Sequence, residues 1–194
     1  MILADGAIGQ MMEKVVLSEQ QPRLTDEQIA ERYGEWATCG KGSRKRYNIC
    51  TSLFMQPDDL EALNLRLQAK YRTIEAEEAR WEEIMCDDAD YVIVAYGSSA
   101  RISAAVAEQA REQGIKVGLL RPITLYPFPK AAICRLVERG VKGFLVAELN
   151  AGQMVEDVRL AVNGAVQIEH YGRTGGVLFT PEEVLDALKN KLVK

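Results

Sequence analysis

The sequence predicts a three-layer α/β/α domain built on a mostly parallel sheet, preceded by an N-terminal arm that contains a long helix. Three observations lead there. From about residue 87 to residue 194, short apolar runs rich in β-branched residues alternate with helix-forming stretches. Glycine and proline stand at nearly every joint between them. The composition, 47% hydrophobic and 27% charged over 194 residues, is that of a packed globular chain. Strand–helix alternation implies right-handed crossovers, so helices must cover both faces of the sheet.

The elements of that domain follow in order. Asp90–Tyr96 is a short apolar run ending at Gly97, as expected of a strand buried on both faces. Ser98 and Ser99 are candidate N-caps for the Ala-rich stretch that follows, and Gly114 stops it. Lys116–Leu120 is a second strand, and Pro129 opens a helix running toward Gly140. Gly143–Leu149 is a third strand, followed by a helix in QMVEDVRLAVNG, and Ala165–Tyr171 is a fourth. Thr180-Pro181-Glu182-Glu183 combines a cap, a proline at the first helical position and a capping-box glutamate. The helix it opens carries Val184, Leu185, Leu188 and Leu192 on one side.

Upstream the pattern changes. Pro57 with Asp58, Asp59 and Glu61 is a helix start, with acids where the macrodipole favours them. Leu60, Leu63, Leu67, Tyr71, Ile74, Trp81 and Met85 recur at helical spacing, which predicts one long helix from Pro57 to Met85. Such a helix is either an arm lying on a neighbouring surface or an ordinary packing helix of the same chain. Met1–Gly6 reads as the end of a buried strand followed by a turn. Residues 87–194 are therefore the expected α/β/α domain, and the opening strand suggests that the chain begins inside a domain whose body is elsewhere.

Composition excludes several functions. Twenty-four Lys and Arg against 28 Asp and Glu leave a net charge of −4, with no general drive toward nucleic acid or anionic lipid. No run of 18 apolar residues offers a membrane span, and the first ten residues lack the basic segment of a secretory signal. A cytoplasmic protein with reduced thiols is expected. Cys39, Cys50, Cys86 and Cys134 form no C-x-x-C pair, so this chain alone is expected to hold no zinc or iron–sulfur site. His170 is the single histidine; it reads as a partly buried strand residue and leaves a Ser-His-Asp triad little to draw on.

Motif by motif, catalytic chemistry is missing. Gly34 to Gly40-Lys41 is spaced wrongly for a phosphate-binding loop and lacks the following Ser or Thr. Lys41, Arg44, Lys45 and Arg46 form a basic cluster that reads first as a solvated loop. Glu77–Glu78 and Glu82–Glu83 sit among other charges and read as a solvated face. The turn around Ser98-Ser99-Ala100-Arg101 could offer free N–H groups to an anion. Most distinctive is Arg121-Pro122-Ile123-Thr124-Leu125-Tyr126-Pro127-Phe128-Pro129, a stiff loop with two aromatics at the carboxyl end of a parallel strand, where such folds place ligands or partners.

The runs VIVAYGSSARI, VGLLRPITLYPFP, FLVAELNAGQMVEDVRLAVNG and EHYGRTGG, with ILADGAIGQMMEKV and NICTSLF upstream, resemble the carboxy-terminal part of 2-oxoacid:ferredoxin oxidoreductase alpha-type subunits. The resemblance covers essentially the whole chain, and within the family it is nearest the 2-ketoisovalerate (3-methyl-2-oxobutanoate) enzymes. It implies 1–22 as a remnant of a pyrimidine-binding thiamine domain, 23–86 as a linking arm with the long helix, and a transketolase C-terminal-like fold for 87–194. The assembly it implies uses thiamine diphosphate, magnesium and iron–sulfur clusters to convert a 2-oxoacid, CoA and oxidised ferredoxin to acyl-CoA, CO2 and reduced ferredoxin.

The family's Y-P-I-T-P-S motif, catalytic glutamate region and G-D-G…N motif are absent from this sequence, so no catalytic, cofactor-binding or metal residue is carried over. The expected role is a non-catalytic assembly fragment, inactive alone, with thiamine diphosphate-binding and ferredoxin-type subunits as partners. Ferredoxin and CoA are then met through the complex, and no nucleic acid or membrane is involved. Arg121, Tyr126 and Phe128 of the loop, Leu67 and Tyr71 of the helix, and Gly152 and Gln153 are the candidate interface residues. Gly152 and Gln153 enter because their segment is similar to one in thiamine-dependent dehydrogenase beta chains, where the domain braces subunits. A homodimer or larger assembly is expected. The alternatives are a free-standing doubly wound module binding an anion or nucleotide at the serine turn or basic loop, or the same family acting on 2-oxoglutarate or pyruvate.

Overall fold

A computed structural model describes residues 1–36, 40–41 and 46–193. Two compact units are present, one of Met1–Met11 with Ala69–Lys194 and one of Met12–Gln68. The larger is an α/β unit whose five strands are ordered β1-β3-β2-β4-β5. These are β1 (Trp81–Ile84), β2 (Tyr91–Val94), β3 (Val117–Pro122), β4 (Gly143–Glu148) and β5 (Gln167–Gly172). The pairs β2–β3, β2–β4 and β4–β5 are parallel; β1 alone joins antiparallel, on β3.

Sequence periodicity explains why the sheet is buried twice over. Val92, Val94, Leu120, Phe144 and Val146 face one core, packed with Ile133 and Leu136 of α5 (Lys130–Glu138) and Val155 and Val158 of α6 (Met154–Val162). Their chain neighbours Ile93, Ala95, Leu119, Leu145 and Ala147 face the other core. There they meet Val106, Ala107 and Ala110 of α4 (Gly97–Glu112) and Val184, Leu185 and Leu188 of α7 (Pro181–Lys191). A two-residue period that is apolar on both faces needs helices on both sides. α7 begins with the expected capping box, Thr180 and Glu183 each bonding the other's backbone N–H.

Three expectations are corrected. The long helix, α3 (Pro57–Glu77), stops eight residues before Met85. Its last turn carries no basic residue, which leaves the negative end of the helix dipole uncompensated. Trp81 and Ile84 then do better in a strand, where they reach opposite cores. Arg135 secures the edge by stacking over the Trp81 ring at 5.2 Å and pairing with Glu83 at 2.8 Å. Second, Met1–Gly6 is not a strand. No neighbouring strand pairs with it, and Asp5 instead caps a four-residue helix, α1 (Gly6–Gly9), accepting from the Ala7 and Ile8 N–H groups. Third, neither Ser98 nor Ser99 caps α4; the N-cap is Tyr96, with no side-chain bond.

Within Met12–Gln68, α2 (Asp26–Tyr33) is framed by a Thr25–Gln28 capping box, and Asn48 donates its amide to the Glu35 carbonyl. No residue of α3, which runs on into the larger unit, is fully buried; Leu60 and Tyr71 are exposed, and Leu63, Leu67 and Ile74 are half-buried. Arg44 and Lys45 of the basic cluster, and Cys39, lie outside the described residues.

Candidate functional site at the carboxyl edge of the sheet

In a doubly wound sheet the connections leave opposite sides of one strand pair, and a crevice opens at the carboxyl ends there. Here β2 stands between β3 and β4, and a crevice of about 1120 Å3 lies at that point. Tyr96 to Ser99 after β2, Arg121 to Tyr126 at the end of β3, and Leu149 and Asn150 after β4 line it, together with Met1–Asp5. Its rim is apolar: Ile2, Leu3, Ile123, Leu125 and Tyr126 are all exposed, Tyr126 at 64%.

An internal carboxylate meets the amino end of α4 in this crevice. The Ser98 hydroxyl donates to Asp5 Oδ2 at 2.8 Å. That bond, with N–H donors from Ile8, Ala7 and Ser98, holds the Asp5 carboxyl below its ordinary value. The Ser98 N–H at the amino end of α4 is thus already serving Asp5.

A second group of polar residues lies at the end of β4. Glu148 is 1% exposed, yet its carboxylate accepts from the backbone N–H groups of Gln153 (3.2 and 3.3 Å), Met154 (2.9 Å) and Val155 (3.1 Å). It caps α6 from the neighbouring strand, which answers why the helix's own N-cap, Gln153, makes no side-chain bond. His170, two residue pairs inward on β5, places Nε2 3.6 Å from Glu148 Oε1, and among the described residues that nitrogen has no hydrogen-bond partner. Burial, then the Glu148 charge, raises both the Tyr96 hydroxyl and the Asp157 carboxyl. The turn itself needs small residues. Gly152 sits at φ +111, and a Cβ on Gly172 would lie 2.3 Å from the Asn150 carbonyl oxygen.

The sequence-predicted interface residues separate. Arg121 and Tyr126 sit on the crevice rim, Arg121 paired with Glu82 at 2.9 Å. Phe128 turns inward against the core. Gly152 and Gln153 form the α6 turn, while Leu67 and Tyr71 lie on α3. Glu148 was not singled out from sequence; an acidic residue ending a buried apolar run, five residues before a helix that lacks a polar cap, was the available signal.

The residues do not fit an iron–sulfur cluster. Among those described, no three His, Cys, Asp or Glu side chains gather as a metal site. Cys86 is buried with its thiol on the Ile84 and Leu119 carbonyls, Cys134 bonds the Ala161 carbonyl, and Cys50 is exposed.

Residues 89–184 match the family model for pyruvate:ferredoxin oxidoreductase core domain II. The ketoisovalerate oxidoreductase subunit VorB of Methanothermobacter thermautotrophicus is 41% identical over 97% of this chain and 51% of its own length. The 2-oxoglutarate synthase subunit KorA of the same organism is 34% identical over 55% of this chain and 28% of its own length. The chain therefore spans about half the length of the curated relatives it matches over its whole extent. A solved 2-oxoglutarate:ferredoxin oxidoreductase from Magnetococcus marinus shares the fold, with a TM-score of 0.62 at 21% identity over 77% of this chain and 27% of that one. With a core domain II at 89–184 and such identity along nearly all its length, the chain belongs to the 2-oxoacid:ferredoxin oxidoreductase subunit family, corresponding to the carboxy-terminal portion of its alpha-type subunits.

Proposed function

We propose that this chain is the non-catalytic assembly part of a thiamine diphosphate-dependent 2-oxoacid:ferredoxin oxidoreductase. The parent reaction converts a branched-chain 2-oxoacid, CoA and oxidised ferredoxin to acyl-CoA, CO2 and reduced ferredoxin. The 41% identity to a ketoisovalerate oxidoreductase subunit over 97% of the chain carries this reading. It also favours 3-methyl-2-oxobutanoate over 2-oxoglutarate as the substrate of the complex, the 2-oxoglutarate synthase subunits being less similar, at 34% identity over 55% of this chain and 30% over 94%. The site supports an assembly role. Asp5 serves the α4 amino end, Glu148 is spent on capping α6, and the crevice rim is an exposed apolar surface of Ile123, Leu125 and Tyr126. Tyrosine and arginine at such a rim are residues enriched where subunits meet.

In this reading, thiamine diphosphate and the iron–sulfur clusters reside in the other parts of the complex, and this domain orders those parts around them. Combining the chain with the other oxidoreductase subunits tests it. Reduction of ferredoxin dependent on 3-methyl-2-oxobutanoate and CoA is expected only in the complete mixture, with slower turnover on 2-oxoglutarate or pyruvate. Activity that is unchanged when this chain is left out contradicts the proposal.

A further inference from the structure

Beside β5, on the far side of the Glu148 turn from the crevice, lies a second cavity of about 590 Å3. Asn150, His170, Arg173, Thr174 and Lys191 supply its polar lining, and no carboxylate lines it. In a chain of net charge −4 that is a local reversal of sign. Lys191 donates to the His170 carbonyl at 2.6 Å and, among the described residues, pairs with no carboxylate. Arg173 keeps only a 3.4 Å contact with Glu183, which is itself engaged at the α7 cap. His170 Nε2 is buried and lacks a hydrogen-bond partner. Glu148, 3.6 Å from His170 Nε2, is turned toward the backbone N–H groups of Gln153, Met154 and Val155.

We propose that this cavity binds a phosphate group. An ammonium, a guanidinium and an imidazole, with the Thr174 hydroxyl and Asn150 amide beside them, offer donors from several directions, as a tetrahedral oxyanion requires. The guanidinium fork can take two oxygens and the ammonium a third, with the His170 ring lining the cavity beside them. The phosphate can be free or the terminal group of a small ester, and the chemistry of capture is the same. This site shares Asn150 with the lining of the crevice but lies along β5, and it does not depend on the assembly role.

The single histidine makes the test direct, because one set of imidazole resonances reports the cavity. The whole chain is titrated with sodium phosphate, adenosine 5′-monophosphate or sodium acetate at fixed pH and ionic strength. Phosphate is expected to move the His170 signals along a saturating curve, while acetate moves them little. A stronger response to the nucleotide than to phosphate assigns the group to an ester; an equal response assigns it to free phosphate. Lys191→Gln and Arg173→Gln should each weaken binding by about fivefold, the loss of one charge-assisted contact. Lys191→Arg should retain it, and Lys189→Gln, on the same helix but outside the cavity lining, should leave it unchanged. Absence of saturation in the unaltered chain overturns the proposal whatever the variants do, and so does equal saturation by acetate.

Discussion

Replacing Glu148 with glutamine removes the charge and one acceptor oxygen while keeping the shape of the side chain. At present both carboxylate oxygens are used: Oε2 accepts from Met154 at 2.9 Å and Oε1 from Val155 at 3.1 Å, with Gln153 shared between them. Glutamine can present an oxygen to only one side, so its amide hydrogens must confront an N–H on the other. A hydrogen bond to a charged group contributes about 1.5–3 kcal/mol, and a buried donor left unpaired costs about as much again as a neutral bond yields. Losing one such bond outright and the charge from the rest gives a destabilisation of about 3 kcal/mol. At about 3 °C per kcal/mol for a chain of this size, the melting temperature should fall by about 10 °C. Urea unfolding followed by far-ultraviolet circular dichroism measures it, with the midpoint expected to drop by about 1 M or more. A loss below about 1 kcal/mol would refute the assignment of Glu148 as the cap of α6.

Cys86 gives a prediction in alkali. Burial, with the Glu83 charge adding to it, pushes the thiol up from 9.0 to about 11, so the fold prefers the neutral form. Its contribution is complete below pH 9 and is lost as pH rises toward 11, about 3 kcal/mol in all; urea midpoints for the unaltered chain and Cys86→Ala should converge over that window. Native thiol labelling should reach exposed Cys50 first and buried Cys86 only on unfolding. Asp5→Asn should speed amide exchange over residues 5–11, and the native chain should show the same loosening as pH falls below the ordinary carboxylate range, because the Asp5 carboxyl is held low and its bonds fail on protonation. Lysine at Leu67 and Tyr71 should weaken self-association seen by light scattering; a 21.6 kDa monomer at high concentration for the unaltered chain would contradict the expected oligomer.

The α/β unit was legible because its signals are local. β2, β3 and β4 are short, mainly apolar runs, and Thr180 to Glu183 announces α7 in four residues. β1 was not legible: Trp81 and Met85 fit a helical period, and only pairing with β3 draws WEEI into the sheet. Met1–Gly6 misled for the converse reason, an apolar run being a strand only where another strand receives it. At the site, the Pro-rich loop was recognisable from composition, but the inward turn of Phe128 depends on the core behind it. Glu148 and His170 are 22 positions apart and meet only through the β4–β5 register, which no local pattern encodes.

The central claim is that this chain assembles the enzyme without holding its thiamine cofactor. Isothermal titration of the isolated chain with thiamine diphosphate and magnesium tests that most directly. No heat beyond dilution is expected at concentrations where the complete oxidoreductase saturates, because the G-D-G…N motif that the family uses for metal and diphosphate is absent from this sequence. Stoichiometric binding with micromolar affinity would contradict the account.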